Sequence, residues 1–200
     1  MKKLALLIAF TVIVGAAMPV LAQSGYAVDA NHSNVGFSVP ILNGVSRVRG
    51  KFTDFTVNVD YNEVDLTKSS VTAIIKTTSI DTGVEARDRH LRTADFFEVE
   101  KYPDITFHST QIEKRGKDFV AVGNFTMHGA TKEISIPFVA NGKFVNEANK
   151  VTMVGFTGTI SLDRRDYGIS YQHAQIPNWI GYDVQVELTV LLRTQPPKQN

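Results

Sequence analysis

The chain contains no cysteine. That absence excludes a disulfide framework, a thiolate nucleophile, a thiolate metal site and a lipidated N-terminal cysteine anchor. Charge of one sign is also missing, with 21 Lys and Arg against 20 Asp and Glu. A balance so near neutrality lacks the basic field that holds nucleic acid, and it argues against strong electrostatic docking on anionic membranes. No Gly-x-Ser-x-Gly elbow occurs, so the α/β-hydrolase nucleophile signature is absent. The five histidines, His32, His90, His108, His128 and His173, form no His-x-His or His-x-x-x-His pair. Metal-ligand spacing is therefore lacking, and no metal or cofactor is expected. Internal repeats and low-complexity tracts are likewise missing.

One long apolar run exists, and it stands at the start. Met1-Lys2-Lys3 precedes the uncharged Leu4–Met18, and Pro19-Val20-Leu21-Ala22 supplies a cleavage site before Gln23. This is the three-part plan of a secretory signal peptide. A retained anchor competes with it, because the run approaches the roughly 20 residues that span a bilayer. Pro19, and the lack of any basic residue between Lys3 and Arg47, favour cleavage. The expected organisation is a signal peptide at 1–22, one domain at 23–193 and a disordered tail at 194–200 around Pro196-Pro197. Without Lys2 and Lys3, 19 basic residues face 20 acidic ones. An exported, cysteine-free chain of this kind fits a bacterial periplasm, with no stable membrane insertion after cleavage.

What fills the rest is alternation, the mark of half-buried strands. Val35, Phe37 and Val39 share one face, as do Phe55, Val57, Val59 and Tyr61. Phe52 falls out of phase with the latter set, which predicts a bulge near Thr53-Asp54. Val71, Ala73 and Ile75 follow a turn at Asp65–Ser70. Ile105, Phe107 and Ser109 come next, then Phe119 through Met127 after a hairpin turn at Lys114–Asp118. Beyond a turn at His128–Thr131, Ile134, Ile136 and Phe138 share a face. Pro137 beside them marks an edge or a bulge. Asn141-Gly142 and Asn146–Lys150 read as turns. Val154 through Leu162 and Val184 through Leu192 complete eight strands. Short connections predict an antiparallel meander, and closing it removes exposed edges.

One stretch breaks the alternation. Ser79–Pro103 gathers Glu85, Arg87, Asp88, Arg89, His90, Arg92 and Asp95 around Leu91, Phe96 and Phe97. Within it Glu85–Phe97 can form a short helix. The expected fold class is thus all-β, an eight-stranded antiparallel barrel with a short helical or loop cap inserted around residues 82–100.

Candidate chemistry is sparse. Asp29 with His32-Ser33 resembles a triad only in sequence proximity, and triads are defined by spatial geometry. A polar network tying down the first strand is the better reading. Arg47, Arg49, Arg87, Arg89, Arg92, Arg164 and Arg165 could gather near one rim, where a guanidinium fork suits phosphate or carboxylate. Ion pairing with Asp88, Asp95, Asp163 and Asp166 explains most of them. The positive signal is apolar: Phe37, Phe52, Phe107, Phe125, Phe138 and Phe156 on strand faces, with Trp179 from a late loop. Eight strands enclose either a filled core or one small ligand, and alternation is the same for both.

Ordered motifs add to this. They are Asp29-x-x-His32-Ser33, Val35-x-Phe37-x-Val39, Gly50-x-Phe52-x-x-Phe55, Ile80-Asp81-Thr82-Gly83, Arg87-Asp88-x-His90-Leu91 and Asp95-Phe96-Phe97. Tyr102-Pro103-x-Ile105-Thr106-Phe107-x-Ser109-Thr110, Gly123-x-Phe125-Thr126, Gly129-x-Thr131-Lys132 and Arg165-Asp166-Tyr167-Gly168-Ile169 complete the series. Together, across Tyr26–Leu192, the chain resembles the YceI-like periplasmic, polyisoprenoid-binding, lipocalin-like proteins. The resemblance implies a lipocalin-like barrel whose elongated apolar interior holds a long lipid chain, in a protein that is not an enzyme. It carries no catalytic residues and implies a possible homodimer, for which an edge at Ile134–Phe138 offers a surface.

On this reading Val35, Phe37, Val39, Phe52, Phe107, Phe125, Phe138, Phe156 and Trp179 contact the tail. Arg87, His90 and Arg165 meet the head group at the rim. The competing readings are an enzyme or redox accessory acting on a quinone-like isoprenoid, and a filled, stress-protective barrel without ligand.

Overall fold

The structure, a computed structural model, describes residues 25–176 and 178–195. The expected signal peptide and the tail beyond Gln195 lie outside the described residues. The described residues form eleven strand segments and one α-helix: β1 Tyr26–Val28, β2 Asn34–Ile41, β3 Ser46–Phe52, β4 Phe55–Asp60, β5 Ser70–Lys76 and β6 Ile80–Asp81. After α1 (Glu85–Leu91) come β7 Asp104–Arg115, β8 Asp118–Met127, β9 Ala130–Asn146, β10 Val151–Asp163 and β11 Asp183–Thr194. Thr194, expected in the tail, still pairs with Tyr26.

Eleven segments nevertheless form eight walls. The hydrogen-bonded order is β4-β5-β7-β8-β9-β10-β11-β2-β3-β6. The two ends of this path are the same pair of strands. β3 runs on into β4 past a break at Thr53-Asp54, and β5 runs on into β6 through a 3-10 turn at Thr77–Ser79. Phe52 pairs with Ile80 and Phe55 with Ile75, so the sheet curls round and meets itself. β1 and β2 likewise share β11 as a neighbour. Polar groups bridge their interruption: Ser33 Oγ donates to Asp29 O at 2.7 Å and accepts from Leu191 N at 3.0 Å. His32 Nδ1 sits 3.1 Å from Asp29. The Asp29–His32–Ser33 group is this strand anchor.

The inward faces follow from alternation. Phe107 is buried while its neighbour His108 is exposed, as a period of two requires. Local shifts of register have identifiable causes. Thr110 is the extra residue between the pairs Ser109–Gly123 and Gln111–Val122. A Cβ on Gly123 would lie 2.3 Å from His108 O, so only glycine lets the bulged strand approach. Asn141-Gly142, expected as a turn, is instead a bulge inside β9: Gly155 pairs with Gly142 and Phe156 with Ala140. The turn falls at residues 147–150.

β9 and β10 pair only from Phe138–Gly158 outward. Pro137 O lies 3.0 Å from where a Gly158 Cβ would be, so Pro137 faces β10 with no N–H to donate. The ladder ends there, and the edge of β9 at Ile134–Pro137 has no β10 partner. Tyr167 and Ile169, 2% and 4% exposed, pack into the core cluster at that end of the barrel. Tyr167 sets its ring edge-to-face on Phe125 at 5.4 Å.

The helix of the cap is shorter than the expected Glu85–Phe97. The helix stops at Leu91, and Arg92 N–H closes it on the carbonyls of Asp88 and Arg89. Phe96 and Val99 are buried from the turns that follow.

Candidate functional site

The barrel is hollow. Its interior is a cavity of about 680 Å³ lined from every wall of the ring. Nearly all of that lining is aliphatic or aromatic, because it collects the inward half of each alternating strand. Val35, Phe37 and Val39 come from β2, Phe52 from β3, Phe107 from β7, Phe125 from β8, Phe138 from β9 and Phe156 from β10. The valines Val184, Val186 and Val190 with Leu188 line it from β11.

Aromatic pairs organise the lining into two zones. Toward the cap, Phe52 bridges Phe37 and Phe97, each at 5.8 Å. His90, Phe96 and Tyr171 form a triangle with centroids 5.0–5.1 Å apart. At the far end Phe156 touches Phe138 at 6.1 Å and Tyr61 at 6.0 Å, and Tyr61 rests edge-on against Tyr26 at 4.9 Å. The polar fastening there is Glu63, which accepts from Lys143 and from Tyr26 Oη. Lys143 beside it holds the Glu63 carboxyl below the usual range.

Among the described residues the charged side chains that line the cavity are Arg87 and Arg164, whereas polar lining elsewhere, such as Ser69, Ser70 and Thr157, is neutral. Arg87 Nε donates to Thr82 Oγ1 at 2.7 Å and Nη2 to Thr82 O at 2.9 Å. Thr82 donates in turn to the buried Asp88, from N at 2.9 Å and from Oγ1 at 2.5 Å. Arg87 therefore stands fixed by its Nε side with the remaining fork free. His90 Nε2 is 2.7 Å from Asp95, and both are partly exposed. Arg164 is 4% exposed and donates to four carbonyls, those of Ile169, Tyr171, Ile180 and Gly181, at 2.8–3.3 Å. Burial pushes its guanidinium below the ordinary arginine value. Among the described residues no three His, Asp or Glu side chains gather to hold a metal.

Of the residues expected from the sequence, Val35, Phe37, Val39, Phe52, Phe107, Phe125, Phe138, Phe156, Trp179, Arg87 and His90 all line this cavity. Arg165 does not. It is exposed, pairs with Asp163 and stacks on Tyr182 at 4.1 Å. Its neighbour Arg164 lines the cavity instead. The strand ends at Asp163 and a 3-10 turn begins, so alternation does not say which of the pair turns inward. Also missed were Tyr171, His173 and Ile180 in the irregular 168–182 segment, where no periodicity exists to find them. The β11 face was legible in VQVELTVLL and belongs to the lining.

A curled, all-antiparallel barrel around an apolar cavity, capped by a short helix, defines a lipocalin-type binding fold. The YceI-like domain model matches residues 26–192, and the chain belongs to that family. A UPF0312 protein of Shewanella baltica strain OS195 is 33% identical over 184 residues, covering 89% of this chain and 95% of that one. Among solved structures, Burkholderia cenocepacia BcnA matches with a TM-score of 0.72 at 20% identity, over 82% of this chain and 98% of BcnA. A polyisoprenoid binding domain from Saccharophagus degradans, implicated in plant cell wall breakdown, matches with a TM-score of 0.60 at 15% identity. That match covers 86% of this chain and 99% of the domain. At these identities the two structures show the shared fold.

Proposed function

We propose that this protein is a periplasmic carrier that holds the tail of a long-chain amphiphile, a polyisoprenoid or similar lipid, inside its barrel. The single observation that carries the reading is the hollow, almost wholly apolar interior of about 680 Å³. A filled core of the same alternation would leave no such space, since interiors pack to the density of organic crystals. The name of the Saccharophagus degradans domain supports the ligand class. Export rests on the signal pattern of residues 1–22.

The volume sets the scale of the tail. An apolar cavity of about 150 Å³ accepts benzene, with its six carbons. By that measure about 680 Å³ takes on the order of 25 carbons, roughly five isoprene units. Each methylene removed from water contributes about 0.8 kcal/mol, so affinity rises with tail length until the barrel is full. The polar end of the ligand then lies at the cap, where Arg87 and His90 offer donors.

Titration with prenols of increasing length, read by the fluorescence of the single tryptophan Trp179 in the lining, tests this. Affinity is expected to climb and then level near five isoprene units. Absence of any response across the series would overturn the reading.

A further inference from the structure

We infer that the mouth of the barrel beside the β2–β3 hairpin is a docking surface for an anionic lipid bilayer. This builds on the carrier reading, because an apolar cargo must pass between membrane and barrel without crossing water. The surface itself is argued from residues that take no part in holding the tail.

Three exposed apolar side chains lie in the two loops at this end. Val45 is 84% exposed, Leu42 37% and Ile176 39%. Leu42 and Val45 come from the hairpin tip, Ile176 from the 168–182 segment, and the two loops are joined. Leu42 N donates to Trp179 O at 3.0 Å, Ile41 bridges Ile180, and Gly181 N donates to Pro40 O at 2.8 Å. Ile41, beside Leu42, lines the cavity, as do Val48 of β3 and Trp179 and Ile180 of the joined loop, so the lip borders the interior, with Asn43 and Asn178 on the surface between the two loops. Ala86 of α1 is exposed and also lines the cavity, which places an opening between the helix and this lip.

The hairpin tip is held in a costly shape. Leu42, Asn43 and Gly44 have φ of 55°, 54° and 88°. A left-handed leucine is an outlier among bulky residues, and such strain persists only where surrounding contacts enforce it. The turn that it makes carries Leu42 and Val45, both exposed, at the tip.

Charge supplies the choice of partner. No acidic residue occurs between Asp29 and Asp54, or between Asp166 and Asp183. Both loops of the lip fall inside these carboxylate-free stretches. Arg47 and Arg49 project outward from β3 just behind the tip, opposite Pro40 and Ser38 on β2. Arg47 donates to Ser38 Oγ and O, and neither arginine has a carboxylate partner among the described residues. The net charge of the protein is near zero, so this is a local field. Apolar tips that enter the headgroup region, backed by cations that meet anionic lipid, are the pattern of interfacial binding. Val64, 97% exposed, lies in the loop after β4 at the opposite end of the barrel and serves as the internal control.

The test uses the cysteine-free chain to place single probes. Val45→Cys and Val64→Cys, each carrying a polarity-sensitive fluorophore, are mixed with vesicles of phosphatidylethanolamine and phosphatidylglycerol, and with vesicles of phosphatidylcholine. The expected result is a blue shift at Val45→Cys with the anionic vesicles, a weaker one with phosphatidylcholine and none at Val64→Cys. Flotation with the anionic vesicles should fall on the order of tenfold for Val45→Asp. It should fall about fivefold for Arg49→Gln, and more steeply with added salt. No flotation, or equal shifts at the two probe sites, would overturn the inference. Prenol binding by Val45→Asp, read separately, stays intact if the carrier reading holds, so each idea can fail alone.

Discussion

Arg164 and Arg165 are adjacent in the chain and lie on opposite sides of the barrel wall. Arg164 is buried and gives its N–H groups to the carbonyls of Ile169, Tyr171, Ile180 and Gly181. Arg165 is exposed and gives its own to Asp163. One arginine gathers the irregular 168–182 segment over the cap end of the cavity. The other decorates the surface.

The two substitutions should therefore separate. Arg164→Met leaves four carbonyls without their donor, and unsatisfied buried groups cost about 1–3 kcal/mol each. With partial relaxation the net loss is expected at roughly 3–5 kcal/mol. Arg165→Ala should lower the urea midpoint only slightly, since exposed ion pairs contribute little. Urea denaturation with an unchanged m-value checks both.

Arg87 and His90 are expected to distinguish lipids by head group. Arg87→Ala together with His90→Ala should weaken binding of a prenyl phosphate by about tenfold, the ~1.5 kcal/mol of one charge-assisted hydrogen bond. Binding of the matching headless hydrocarbon should not change. Competition titration against Trp179 fluorescence reads the difference.

Hollowness predicts tolerance to added bulk. Val186 points into the cavity from β11. Overpacking a filled core costs about 1–3 kcal/mol, whereas Val186→Phe should leave stability within about 1 kcal/mol and lower the longest tail retained. Denaturation and the prenol length series together decide it.

Acid should loosen the far end of the barrel and the 3-10 turn after β10. The Glu63 carboxyl is held below its usual range by Lys143, and that of Asp163 by Arg165. A carboxylate depressed in the folded state contributes stability that is full above its unfolded value of about 4 and lost as pH falls through its folded value. The thermal midpoint is thus expected to fall below about pH 4. Glu63→Gln with Asp163→Asn should flatten that limb, modestly because both pairs are largely exposed. A series of melts against pH checks the slope.

How far the sequence spoke depended on periodicity. Val35, Phe37 and Val39, or Phe107 against His108, could be assigned to faces because each strand alternates strictly. The bulge before Phe55 was legible for the same reason, as a phase slip. Asn141-Gly142 was misread as a turn because a bulge and a turn draw on the same residues. Arg165 was expected at the rim where Arg164 stands, and alternation could not separate the two because the strand gives way to a 3-10 turn there. Tyr171, His173 and Ile180 had no pattern to betray them. Whether the barrel is filled or hollow could not be read from alternation, because the inward residues are the same in both and only their spacing across the ring differs. The hollow reading came from the resemblance alone.

The measurement that bears most directly on the carrier reading is native mass spectrometry of the protein purified without detergent, followed by organic extraction of any bound lipid. The expected result is a stoichiometric added mass that extracts as an amphiphile with a tail on the order of 25 carbons, matching the cavity. A bare polypeptide that also takes up no added polyprenol would contradict the account.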